Sequence, residues 1–113
     1  MEPQDTITIA PSVLIAIARH AAEQVRGVAG MGQIPVGVGR LFGGQPLGPG
    51  VILDIDGDDV AVDLYLRVKP GANMKETGTA AQHAVQRAIQ DLVGMEVTRV
   101  TVHIEDVDYA AGK

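Results

Sequence analysis

A chain of 113 residues, 46% apolar and 20% charged, is the size and composition of one globular domain with a single core. It has no cysteine, which excludes disulfides, thiolate metal sites and a cysteine nucleophile. Its net charge of -5 opposes non-specific nucleic-acid binding, which needs clustered Lys and Arg. No apolar run approaches the roughly 20 residues of a membrane span, and the opening MEPQD lacks the basic, apolar build of a signal peptide. With Phe42, Tyr65 and Tyr109 as the aromatic residues, the core must be built from Val, Ile, Leu and Ala.

Ile7 and Ile9 alternate with Thr6 and Thr8 and predict a short first strand. Pro11 suits the first turn of a helix, where its missing N–H costs nothing. Leu14, Ile17, Ala18, Ala21 and Val25 follow at helical spacing and form one apolar stripe, with Gly27 as a stop. Residues 27–50 then change character, for nine of these 24 positions are glycine, joined by Pro35, Pro46 and Pro49. A loop this long inside a compact domain is usually functional or mobile. Val36, Val38, Leu41, Phe42 and Leu47 give it apolar anchors, and the stretch near 36–42 could hold a short strand or turn.

The segment VILDIDGDDVAVDLYLRVK carries two runs of period two around a D-G centre, the pattern of a β-hairpin. Its carboxylates Asp54, Asp56, Asp58 and Asp59 invite a calcium reading. An EF-hand loop, however, needs glycine at the sixth position and Glu at the twelfth, between helices. Counted from Asp54 the glycine is fourth, the twelfth residue is Tyr65, and the flanks are strands. The expectation is a turn and no metal site.

Asn73 with Glu76 three residues on forms a capping pattern. Ala81, Ala84, Val85, Ala88, Ile89 and Leu92 continue as a helical stripe that Gly94 ends. EVTRVTVHIEDV is the last strand, with Val100, Val102 and Ile104 inward and Arg99, Thr101, His103 and Glu105 outward. The tail DYAAGK is expected to fray. The predicted order is therefore β-α-(loop)-β-β-α-β. Two helices, each with one apolar stripe, cover one face of a small mixed or antiparallel sheet, a two-layer α+β domain spanning residues 1–113.

Catalytic patterns are missing. GVGRLFGG is not G-x-G-x-x-G, has no P-loop Lys and lacks the strand-turn-helix setting that aims N–H groups at phosphate. His20, His83 and His103 have no paired metal spacing, and Ser12 is the one serine and opens a helix. Asp54, Asp56 and Asp63 share the sheet's outer face, but acid–base work needs a pocket that shifts a pKa. The expectation is a non-enzyme with no cofactor. The informative surface is the sheet face away from the helices, where Tyr65 stands among Arg67, Lys69, Arg99 and His103. That is a composition binding surfaces favour, and also one that a solvated sheet face shows.

The segments IAPSVLIAIARHAAEQVRGVAGM, VDLYLRVKPGANMKETGTAAQHAVQRAIQDLVGMEV and RVTVHIEDV resemble the bacterial alkaline shock protein family of envelope stress response proteins. The resemblance rests on V-x-G-V-x-G-M from Val25 to Met31, V-D-L-Y-L from Val62 to Leu66, N-x-x-E at the second helix, and V-x-V-H-I from Val100 to Ile104. It implies a small, cytoplasmic, non-enzymatic protein that self-associates and sits near the membrane through an anchored partner. Many relatives carry a Lys-rich central loop, whereas this loop has Arg40 as its basic residue. The resulting expectation is an adaptor or scaffold binding itself and an envelope-linked protein through Tyr65, Arg67, Lys69, Arg99, His103 and Phe42. The alternative is a KH-like nucleic-acid module, for which Gly27 to Gly30 supplies a G-x-x-G pattern without the usual basic residues inside.

Overall fold

The computed structural model describes residues 7–35, 37 and 48–109. Its elements in chain order are α1 (Pro11–Glu23), β1 (Val28–Met31), β2 (Val51–Asp56), β3 (Asp59–Val68), α2 (Met74–Leu92) and β4 (Glu96–Val107). The architecture is the expected one, two helices on a mixed sheet. One strand sits elsewhere. Residues 7–10 take no regular structure and Ile7 is exposed, while Thr6 lies outside the described residues. The extra strand instead follows α1, where the alternation of Val28 and Gly30 with Ala29 and Met31 is too short and too glycine-rich to read from propensity.

β3 organises the sheet. β4 runs parallel to it along its whole length, from Asp59↔Glu96 to Val68↔Val107. On its other side two antiparallel strands share the length: β2 pairs with the first half, Asp56↔Asp59 through Val51↔Leu64, and β1 with the second, Met31↔Leu66 to Val28↔Val68. The two meet at Tyr65, whose N–H donates to the Gly50 carbonyl at 2.7 Å and whose carbonyl accepts from Gly32 N–H at 2.6 Å. Gly50 is at φ +72°, and a Cβ there would stand 2.7 Å from the Tyr65 carbonyl oxygen, so only glycine fits this junction.

The hairpin is as expected. β2 ends at Asp56 and β3 starts at Asp59, leaving Gly57 and Asp58 as a two-residue loop with Gly57 at φ +61°. Glycine first in such a loop matches a type II′ turn, whose twist suits the flanking strands. Asn73 caps α2 by accepting from Glu76 N–H at 2.9 Å. Gly94 closes that helix at φ +82°, its N–H reaching back to the Ile89 and Gln90 carbonyls.

α1 lies against β1 and β2, α2 against β4, and the helices pack on each other. Leu14, Ile15, Ala18 and Ala22 of α1 and Ala81, Val85 and Ile89 of α2 meet Val60, Val62, Leu64 and Leu66 of β3. These β3 side chains are fully buried, and hydrophobic transfer of about 1.5–3 kcal/mol for each large side chain holds the layers together.

Candidate functional site

The alternate residues of β3, Ala61, Asp63, Tyr65 and Arg67, face away from the helices. Pairing with β4 sets Asp63 opposite Thr101 and Tyr65 opposite His103. The carboxylate of Asp63 is the hub. It accepts from Arg99 Nη1 at 3.3 Å and lies 3.2 Å from His103 Nε2. Arg99 Nη1 also donates to the Thr101 hydroxyl at 2.7 Å. The Tyr65 and His103 rings stack with centroids 4.3 Å apart and planes 8° from parallel.

Two expectations change here. Tyr65 and Asp63 were read as exposed on a wet face, yet they are 3% and 6% exposed. The reason is position: both lie on the middle strand, flanked by neighbours on each side, and Ile52, opposite Asp63, is buried on this same face. Burial raises the Tyr65 hydroxyl above its ordinary pKa of 10.0, and the negative charges of Asp63 and Glu105 add to the rise.

The remaining predicted residues divide. Arg99 and His103 join Asp63 and keep side-chain exposures of 47% and 36%. Arg67 lies one pair further along β3. Its Nε donates to the Met31 carbonyl at 3.2 Å and its Nη1 pairs with Asp108. Gly30 makes room for it, since a Cβ there would stand 2.7 Å from Arg67 Nη2. Lys69 is exposed beyond the end of β3. Phe42 and the neighbouring loop anchors Val36, Val38, Leu41 and Leu47 lie outside the described residues.

Sequence reasoning missed two contributors. Asp63 looked like a solvated carboxylate, and Asp108 fell in the segment expected to fray. Asp108 is instead held, its N–H bonded to the Val68 carbonyl at 2.8 Å. Alternation along β3 and β4 puts all these residues on one face, but it cannot say that β4 lies beside β3. Among the described residues no group of three or more His, Asp or Glu side chains is placed to hold a metal ion, and no helix is long and apolar enough to cross a membrane. Every buried side-chain N or O atom among them has a hydrogen-bond partner.

The fold is thus a two-layer α+β domain whose sheet face away from the helices carries an ordered ionic and aromatic cluster. The chain belongs to the alkaline shock protein 23 family, of cell envelope-related function, whose model matches residues 1–109. It is 29% identical over 114 residues to the uncharacterized protein YqhY of Bacillus subtilis (strain 168), covering 96% of this chain and 84% of that one. It is 25% identical over 104 residues to the uncharacterized protein YloU of the same organism, covering 89% and 87%. Among solved structures, a zinc form of MamM CTD matches with a TM-score of 0.55 at 19% identity, over 88% of this chain and 89% of that one. A further MamM CTD structure matches at 0.54 and 18% identity, over 86% and 99%. At these identities the likeness is one of fold.

Proposed function

We propose that this chain is a non-catalytic adaptor of the envelope stress response type, which associates with itself and binds an envelope-linked protein through the helix-free sheet face. The observation that carries the reading is the Asp63 hub. It holds Arg99 and His103 in fixed geometry while leaving part of each exposed. Side chains ordered in advance lose less entropy on binding, so such a cluster favours a partner over solvent. Arg67, similarly held, and the exposed Lys69 extend the surface towards one end of the sheet, with Phe42 as the loop's contribution. Tyr65 supports His103 from beneath rather than meeting the partner itself.

A cytoplasmic location, with membrane attachment through the partner, goes with this reading. Nucleic acid gains no support from the site: Arg67 and Arg99 both engage carboxylates, and among the described residues no basic stripe is left for a phosphate backbone. The test is affinity capture from the native organism's lysate with the membrane fraction kept, comparing the chain with its Arg67→Ala/Arg99→Ala variant. Loss of specific membrane-associated proteins from the variant, with circular dichroism unchanged, supports the site. Equal capture by both chains rejects it.

A further inference from the structure

β4 is the longest strand and, among the described residues, pairs on one side alone, with β3. Long open edges are normally blunted by Pro, Lys or a covering element, because bare N–H and C=O groups template further pairing. β4 has neither Pro nor Lys. Register irregularities opposite Val60/Ala61 and Leu66/Arg67 bound a regular window from Arg99 to Ile104. Gln82 Nε2 donates to the Val100 carbonyl at 3.0 Å, which shows that this carbonyl faces away from β3. Alternation turns the main-chain groups of Val102 and Ile104 the same way. Between α2 and this edge runs a cleft of about 320 Å³ lined by Met74, Lys75, Gly78, Val102 and Ile104, so that a lysine of α2, though none of β4, stands beside the edge; past Gln82 another cleft of about 350 Å³ continues it.

We infer that the edge is completed by β4 of a second copy of this chain, antiparallel, with Val102 opposite Val102. The inference rests on the self-association proposed above and gives it a place and a register. If both helix layers lie on the same side of a continuous sheet, the two-fold axis is normal to the sheet, and residues of like facing stand opposite each other. Among the registers this allows, one uses all three residues whose main chain faces the edge, pairing Val102 with itself and Val100 with Ile104 in both directions, the Val100 carbonyl then accepting a second bond beside that from Gln82. That same register brings the exposed Arg99 of each copy, whose guanidinium also engages Asp63, close to the exposed Glu105 of the other, one residue beyond the regular window, an opposite-charge approach made twice. A shift by two residues either way loses one open-residue pair and the Arg99–Glu105 match. The product is a sheet of doubled width, with the two α2 helices side by side above the seam and two Asp63 hubs side by side below it.

The chain has no native cysteine, so single cysteines report the register directly. In the inferred pairing, opposed Val102 positions have Cα atoms about 5.5 Å apart, within disulfide reach. Opposed Thr101 positions are diagonal neighbours at about 7–8 Å, beyond it. Under mild oxidation Val102→Cys is expected to give about tenfold more cross-linked dimer on a non-reducing gel than Thr101→Cys. An equimolar mixture of Thr101→Cys and His103→Cys is expected to form the mixed dimer, and this arm decides the matter if Val102→Cys fails to fold. Light scattering on the unmodified chain runs at the same concentration. An oligomer with these cross-links supports the inference. An oligomer without them overturns the β4 edge while self-association stands. A monomer overturns both.

Discussion

The two faces of β3 hold the molecule by different means. Towards the helices, Val60, Val62, Leu64 and Leu66 are fully buried in apolar contact that has no preferred direction. Away from them, Asp63, Tyr65 and Arg67 are fixed by directional partners: His103 and Arg99, a stacked ring, the Met31 carbonyl and Asp108. One face supplies cohesion that tolerates exchange of similar side chains. The other supplies geometry, and it does so at low energy, because half-exposed ion pairs contribute little to stability. A surface can thus be well ordered while adding little to the folding free energy, which leaves it free to serve recognition.

The sharpest way to break the contrast is to damage each face in turn. Leu64→Ala empties a fully buried site and is expected to cost about 2–5 kcal/mol, read as a lower denaturation midpoint with unchanged slope. Gly50→Ala attacks the point where β1 and β2 meet beside Tyr65. It forces a side chain into positive φ against the Tyr65 carbonyl and is expected to cost about 1–3 kcal/mol by the same measurement. Asp63→Asn removes the hub's charge but keeps its shape. The expected loss is about 0.5–1 kcal/mol, reduced further by salt, because Arg99 and His103 reach solvent. If Asp63→Asn proved as damaging as Leu64→Ala, the division of labour between the faces would be wrong.

The smallest effect concerns pH. The folded state holds the Tyr65 pKa above its unfolded value, so the native chain keeps that proton when the unfolded chain has lost it. The resulting stability is complete below about pH 10 and is lost as pH rises through the folded-state value. Denaturation midpoints between neutral and strongly alkaline pH are expected to fall less for Tyr65→Phe than for the parent chain. Identical alkaline slopes would remove Tyr65 from this account.

The helix-facing side of this comparison was legible in the sequence. Period-two alternation through 60–68 and helical stripes on α1 and α2 are local signals, as are the Asn73 cap and the Gly57 turn. The outer face was legible in membership but not in state. Arg67, Arg99 and His103 were placed on it correctly, while the burial of Tyr65 and Asp63 depends on which strands flank β3. That is a long-range fact, carried by a parallel pairing across residues 59–107 that no short window contains. β1 escaped for a related reason: four residues with a central glycine become a strand only because the second half of β3 needs a partner.

The backbone of Tyr65 has one more consequence. The segment between Gly32 and Gly50 has both of its ends held by the main-chain groups of that one residue. Its ends are therefore anchored within one peptide of each other, whatever its length. Doubling such a loop adds only about 0.6 kcal/mol of closure entropy. Length and sequence between these two glycines can therefore change at small cost in closure entropy while β1, β2 and β3 keep their pairing.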